Sequence, residues 1–207
     1  SDLTRDTIGG FNSMIEKEKK LDVDAHVTTV LFNDQYKMLY NRRELKDVSK
    51  MTDKDYTPGG MTALLDAVGR TIHKMDMVSG IHRKDKGNKV LFVIITDGEE
   101  NDSREYTYAD VKKLIKDRQE NAGWEFIFLG ANIDAAAAAE NLGIDRDRAV
   151  KYKNTGSGVR ANFKAVAELS DSLAKSGRVS DEWKETVEKD EDDAADKQSA
   201  AVTSHRR

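Results

Sequence analysis

The run over residues 89–101, KVLFVIITDGEEN, stays apolar and largely β-branched from Val90 until Thr96-Asp97-Gly98 interrupts it. That is the pattern of a strand buried on both faces, and such strands belong to parallel sheets covered by helices on either side. The strand end therefore delivers a carboxylate, Asp97, to the rim of the sheet. A second segment, TPGGMTALLDAVGRTI over residues 57–72, sets a glycine turn before an amphipathic helix predicted from Thr62 to about Val78. The Thr62 hydroxyl at that start is free to cap the helix or to touch a ligand.

Strands and helices alternate through the rest of the chain. Leu3, Ile8, Phe11, Met14 and Ile15 form one helical stripe over 3–19. Residues 26–32 (HVTTVLF), a turn at Asn33-Asp34 and an alternating return strand over 36–40 predict an antiparallel hairpin at a sheet edge. A polar, irregular stretch covers 45–56, and a basic loop covers 81–88. A helix over 106–121 is stopped by Ala122-Gly123, a buried strand follows over 124–129, and an alanine-rich helix spans 133–142. A short strand over 149–152 and a helix over 159–174 complete the pattern. The alternation predicts an α/β fold: a doubly wound, mostly parallel sheet with helices on both faces. Ligands bind such sheets at the carboxyl ends of the strands, where Asp97 and Asn132 emerge.

Composition limits the function. A chain of 207 residues holds one domain with a sizeable core. The expected division is a domain over 1–177 and a charged, disordered tail over 178–207, with a helical turn around Trp183. Lys and Arg number 34 against 38 Asp and Glu, a formal net charge of −4, so no basic field exists to hold nucleic acid or an anionic membrane. Cysteine is absent, which excludes disulfides, a thiol nucleophile and thiolate zinc ligation. His26, His73, His82 and His205 show no metal-ligand spacing. Without a membrane-length apolar stretch or a signal peptide core, the expected location is cytoplasmic.

The glycine turn ending in Thr62 and the strand ending in Thr96-Asp97-Gly98, in this order and spacing, resemble the von Willebrand factor A domain of the bacterial or phage type. The resemblance covers roughly residues 1–176 and implies a Rossmann-like fold and a protein-interaction module. It further implies that Thr62 and Asp97 help hold a divalent cation, Mg2+ or Mn2+, through which a partner carboxylate binds. The family's Asp-x-Ser-x-Ser motif is not in this sequence, and the resemblance implies that the chain as given starts after that loop and after the first, central strand that precedes it. The expectation is therefore weak or absent metal binding, and a gap in the sheet that an upstream in-frame segment would fill. The partner-binding rim is expected to carry Glu99, Glu100, Asn132 and Asp134; the partner's identity and the oligomeric state are left open.

Other readings of the same residues stay open. Thr62 is also a plausible helix cap and Asp97 a turn residue, while Glu99, Glu100, Asn101 and Asp102 read as a solvated acidic loop. No G-x-x-x-x-G-K-[ST] loop or G-x-S-x-G elbow is present. Asn154-Thr155-Gly156-Ser157-Gly158 reads as a turn or as a weak anion cradle. The alternatives to an interaction module are an aspartate-dependent phosphohydrolase using Asp97 and a metal-free structural remnant.

Overall fold

A computed structural model describes residues 3–21, 23–77 and 89–189. The elements run α1 (Leu3–Glu18), β1 (His26–Phe32), β2 (Tyr36–Glu44), α2 (Leu64–Asp76), β3 (Leu91–Thr96), α3 (Tyr108–Asp117), β4 (Glu125–Ala131), α4 (Ala135–Leu142), β5 (Ala149–Tyr152) and α5 (Gly156–Ser176). The expected loop over 81–88 lies outside the described residues.

Strands β3, β4 and β5 pair in parallel in that order, as their helical crossovers require. Alternation along β4 sorts its side chains. Ile127, Leu129 and Ala131 enter a core with Phe11 and Ile15 of α1 and Phe163 and Leu169 of α5. Phe126 and Phe128 enter the opposite core with Leu65 and Ile72 of α2, Val111 and Ile115 of α3 and Ala139 and Leu142 of α4. The sheet is thus covered on both faces, the doubly wound arrangement. Each fully buried Phe, Leu or Ile side chain contributes about 1.5–3 kcal/mol.

The predicted hairpin is present, with β1 and β2 antiparallel and Phe32 opposite Tyr36. Its place differs from expectation. β1 and β2 form a two-stranded sheet of their own, and among the described residues no ladder joins β1 to β3. Its far end continues through Leu45, Val48 and Met51, all buried, although this stretch is polar enough to read as a loop. α1 fastens it there. Asn12 donates to the Met51 carbonyl at 2.9 Å and accepts from the Met51 amide at 2.8 Å, while Lys19 Nζ donates to the Val48 carbonyl at 2.7 Å.

Gly10 lets α1 lie close against α5, since a Cβ there would come within 2.5 Å of the Phe163 ring. Phe11 meets Phe163 edge-on at 6.2 Å. The packed structure also runs past the expected boundary at 177. Val179, Trp183 and Val187 are 7%, 1% and 1% exposed in the α1/α5 core, and residues 183–189 are helical, so the tail expected from 178 is folded at least to 189. No helix among the described residues is long and apolar enough to cross a membrane.

Candidate functional site

Two glycines shape the approach to α2. Gly59 and Gly60 have φ of 120° and 94°, a region L side chains rarely adopt, and a Cβ on Gly60 would strike the Asn33 and Asp34 side chains. The hairpin turn grips this approach. Asn33 Nδ2 donates to the Gly59 carbonyl at 2.8 Å, and the Ala63 amide donates to the Asn33 carbonyl at 2.8 Å.

The segment after Asp97 lies along the first turns of α2. Thr62 and Asn101 bond reciprocally: the Thr62 amide donates to Asn101 Oδ1 at 2.7 Å and the Asn101 amide donates to the Thr62 carbonyl at 3.0 Å. α2 begins after Ala63 with no cap from its own side chains. Its open amides are met from the loop after β3 instead. The Leu65 amide donates to Glu100 Oε2 at 2.9 Å and the Asp66 amide to Ser103 Oγ at 3.1 Å. A carboxylate at a helix N-terminus is further favoured by the helix dipole.

The contact is returned by Asp66, which is 7% exposed. Its Oδ2 accepts from the Arg104 amide at 3.0 Å, and its Oδ1 from the Glu105 and Tyr106 amides at 2.9 and 3.0 Å. Burial pushes the Asp66 carboxyl up, but the three amides and the Arg70 charge outweigh it and hold it below the ordinary aspartate value. Arg70 in turn forks onto Glu105 at 2.7 and 2.6 Å.

Thr62 and Asp97, the two residues singled out as cation ligands, meet at this corner. The Thr62 hydroxyl does not cap α2; it stands 3.1 Å from where a Cβ on Gly98 would lie, next to Asp97. Asp97 is exposed, and among the described residues neither its carboxylate nor the Thr62 hydroxyl has a hydrogen-bond or ion-pair partner. Two tyrosines flank Asp97. Burial first, then the Asp97 charge, pushes up the titration of Tyr152, whose hydroxyl lies 3.5 Å from the Thr96 carbonyl. Burial likewise raises Tyr56, a hydrogen bond with Thr7 opposes this, and Asp97 adds to it. Neither tyrosine was singled out from the sequence. For Tyr152 the signal was its place at the end of a strand that shares the rim of Asp97.

The expected partner-binding residues divide. Glu99, Asn132 and Asp134 line one open groove of about 550 Å³ together with Ala135, Ala136 and Lys151. Asn132 has a φ of 57°, which turns the chain out of β4, and Asp134 caps α4 by accepting from the Ala137 amide at 3.0 Å. Glu100 points elsewhere. Its Oε1 accepts from the Asp102 and Ser103 amides at 3.0 and 2.7 Å, and its Oε2 from Ser103 Oγ at 2.7 Å as well as from Leu65. The loop read as solvated is a docked one at Glu100 and Asn101.

The donors do not fit a protein-held cation. Among the described residues no three Asp, Glu or His side chains gather where they could hold a metal ion, and Thr62 with Asp97 supplies two side chains where a hard divalent cation takes about six oxygens. The glycine-rich start of α5 is already occupied by its own chain. Thr155 caps it by accepting from the Gly158 amide at 3.2 Å, and the Asp6 carboxylate lies against Gly156 while paired with Arg160.

No family model matches the chain, and no curated protein matches it. Among solved structures the chain is similar to a von Willebrand factor type A protein from Catenulispora acidiphila, with a TM-score of 0.47 and 11% identity. The match covers 81% of this chain and 38% of that one, so the chain spans well under half the length of that protein.

Proposed function

We propose that this domain is a protein-interaction module that reads its partner at the carboxyl rim of the sheet, through Thr62, Asp97, Glu99, Asn132 and Asp134. One observation carries the reading: at a rim where the neighbouring Glu100, Asn101 and Ser103 are bound internally, the Asp97 carboxylate and the Thr62 hydroxyl are left without a partner among the described residues. Polar groups held on a rigid sheet edge and not used by the fold are available to another molecule. A bridge through Mg2+ or Mn2+ to a partner carboxylate needs donors beyond Thr62 and Asp97, so the rim side chains make the partner contacts themselves.

The test is capture of partner proteins by the wild-type domain and by Asp97→Ala, with Asp147→Ala as the control. Asp147 lies just before β5, at the amino end of that strand and away from the rim. The proposal expects Asp97→Ala to lose a protein that the wild type and Asp147→Ala both retain. Turnover of a generic phosphomonoester in magnesium buffer, abolished by Asp97→Asn, would replace this reading with the hydrolase one.

A further inference from the structure

Three strands end along one stretch of the rim: β3 leads to Glu99, β4 leads to Asn132, and β5 bears Lys151 near its end. With the first turn of α4 they enclose the open groove of about 550 Å³, all of whose lining lies between residues 99 and 151. Its floor is apolar and fixed. Ile133, Ala135 and Ala149 are buried, at 7%, 3% and 8% exposure. Ile133 folds back over β4, where Gly130 leaves it room: a Cβ there would lie 2.8 Å from the Ile133 side chain. Alanine at 135, 136 and 149 leaves space above that floor for a side chain from outside.

The charges stand around the mouth. Glu99, Asn132, Asp134 and Lys151 are exposed, and among the described residues the side chains of Glu99, Asn132 and Lys151 have no hydrogen-bond or ion-pair partner. Asp134 uses Oδ1 to cap α4 and keeps Oδ2. Two carboxylates against one ammonium leave the groove with an excess of negative charge. An apolar floor under an acidic mouth complements a side chain with an aliphatic stem and a cationic head, because lysine and arginine lay their methylenes on apolar surface and keep the charge at its polar edge. An anion would face Glu99 and Asp134. A plain aliphatic side chain would desolvate those carboxylates without pairing them.

We propose that this groove takes a single lysine or arginine side chain of a protein partner, its stem on Ile133 and the three alanines and its head at Glu99 and Asp134. The proposal rests on the reading of the rim as a protein-interaction surface and names what one part of that rim recognises. The Asn132 amide oxygen supplies a further acceptor. Lys151, on the β5 wall, repels a second cation, so a lone basic residue is favoured over a basic run.

The probes are acetylated and amidated tripeptides with glycine on either side of arginine, lysine, citrulline or glutamate. They are titrated into the full chain at low salt, where a surface charge pair is least screened, and followed by amide chemical shifts. The proposal expects saturable shifts at the Asn132, Ala135, Ala136 and Lys151 amides with arginine or lysine. Citrulline keeps the stem and loses the charge, and should bind weaker by roughly fivefold or more. Glu99→Gln and Asp134→Ser should each weaken the arginine peptide by roughly threefold or more, serine retaining the cap of α4, while Asp147→Ala leaves it unchanged. Citrulline binding as well as arginine would overturn the proposal, as would tighter binding of glutamate or no saturable shifts with either cation. Shifts centred on Thr62 and Gly98 would overturn it too, by placing the cation at that corner. If the cationic peptides fail while Asp97→Ala still loses a captured protein, the groove assignment alone falls; if Asp97→Ala retains every captured protein, the interaction reading itself falls.

Discussion

Glu100 caps a helix that begins 36 residues before it: Oε2 accepts the Leu65 amide at 2.9 Å, while the same carboxylate gathers the Asp102 and Ser103 amides. One side chain thus joins the strand-end loop to the start of α2, while Asn101, not Glu100, holds the Thr62 backbone. Glu100→Ala leaves these amides unmatched. It should lower stability by about 2 kcal/mol, the scale of lost charge-assisted bonds, measured by urea unfolding at pH 7. A change within 0.5 kcal/mol, typical of a surface site, would mean that the loop is held by other contacts.

Asp66 gives this joint an acid limit. Its folded carboxyl titrates below the ordinary value, so its stabilisation is fully present above the unfolded aspartate pKa of about 3.9 and is lost as pH falls through the lowered folded value. Asp66→Asn keeps one acceptor but loses the charge, and should cost about 2 kcal/mol at pH 7. Unfolding curves of the two proteins should converge as the pH drops below 3.9. Parallel curves down to the acid limit would contradict the assignment.

Glu18 behaves in the opposite sense. Burial raises its carboxyl, a 2.6 Å hydrogen bond from Ser170 opposes this, and the Asp171 charge adds to it against the small pull of Lys17. The folded state therefore holds its proton more tightly than the unfolded one, and stability at this site falls as pH rises above the ordinary glutamate range. Glu18→Gln keeps an acceptor for Ser170. It should stabilise the protein at pH 7 by about 1 kcal/mol, with the gain fading towards pH 4. A loss of stability at pH 7 would show that the charge is needed at the α1–α5 contact.

Isothermal calorimetry with Mg2+ and Mn2+ should give no affinity tighter than roughly millimolar, because two protein side chains leave most of the coordination to water. Micromolar binding that Asp97→Ala abolishes would point to donors beyond Thr62 and Asp97.

The sequence makes the sheet legible because its strands carry their own signal. The apolar runs of β3 and β4 need no context, and Gly123 and Gly143, with φ of 68° and 83°, end their helical segments where expected. The corner is less legible. Glu99-Glu100-Asn101 does not by itself tell which acid turns inward, since the Leu65 and Thr62 amides that dock Glu100 and Asn101 are more than thirty residues away in sequence. Asp66 looks like a polar-face residue of an amphipathic helix until the amides of Arg104, Glu105 and Tyr106 surround it. Past residue 177 the acidic composition masked a readable pattern: Trp183 and Val187 stand four residues apart, the spacing of a buried helical face, and Val179 is a further apolar residue just before that helix.

The central claim is that the corner separates into residues that hold the fold and residues that face outward. Quantifying one captured partner on wild type, Asp97→Ala and Glu100→Ala, at a temperature where all three remain folded, tests it most directly. The predicted result is a loss of at least tenfold, about 1.4 kcal/mol, for Asp97→Ala at unchanged stability, and retained binding for Glu100→Ala despite its lower stability. Equal retention by Asp97→Ala and wild type would contradict a recognition surface at the Thr62–Asp97 rim.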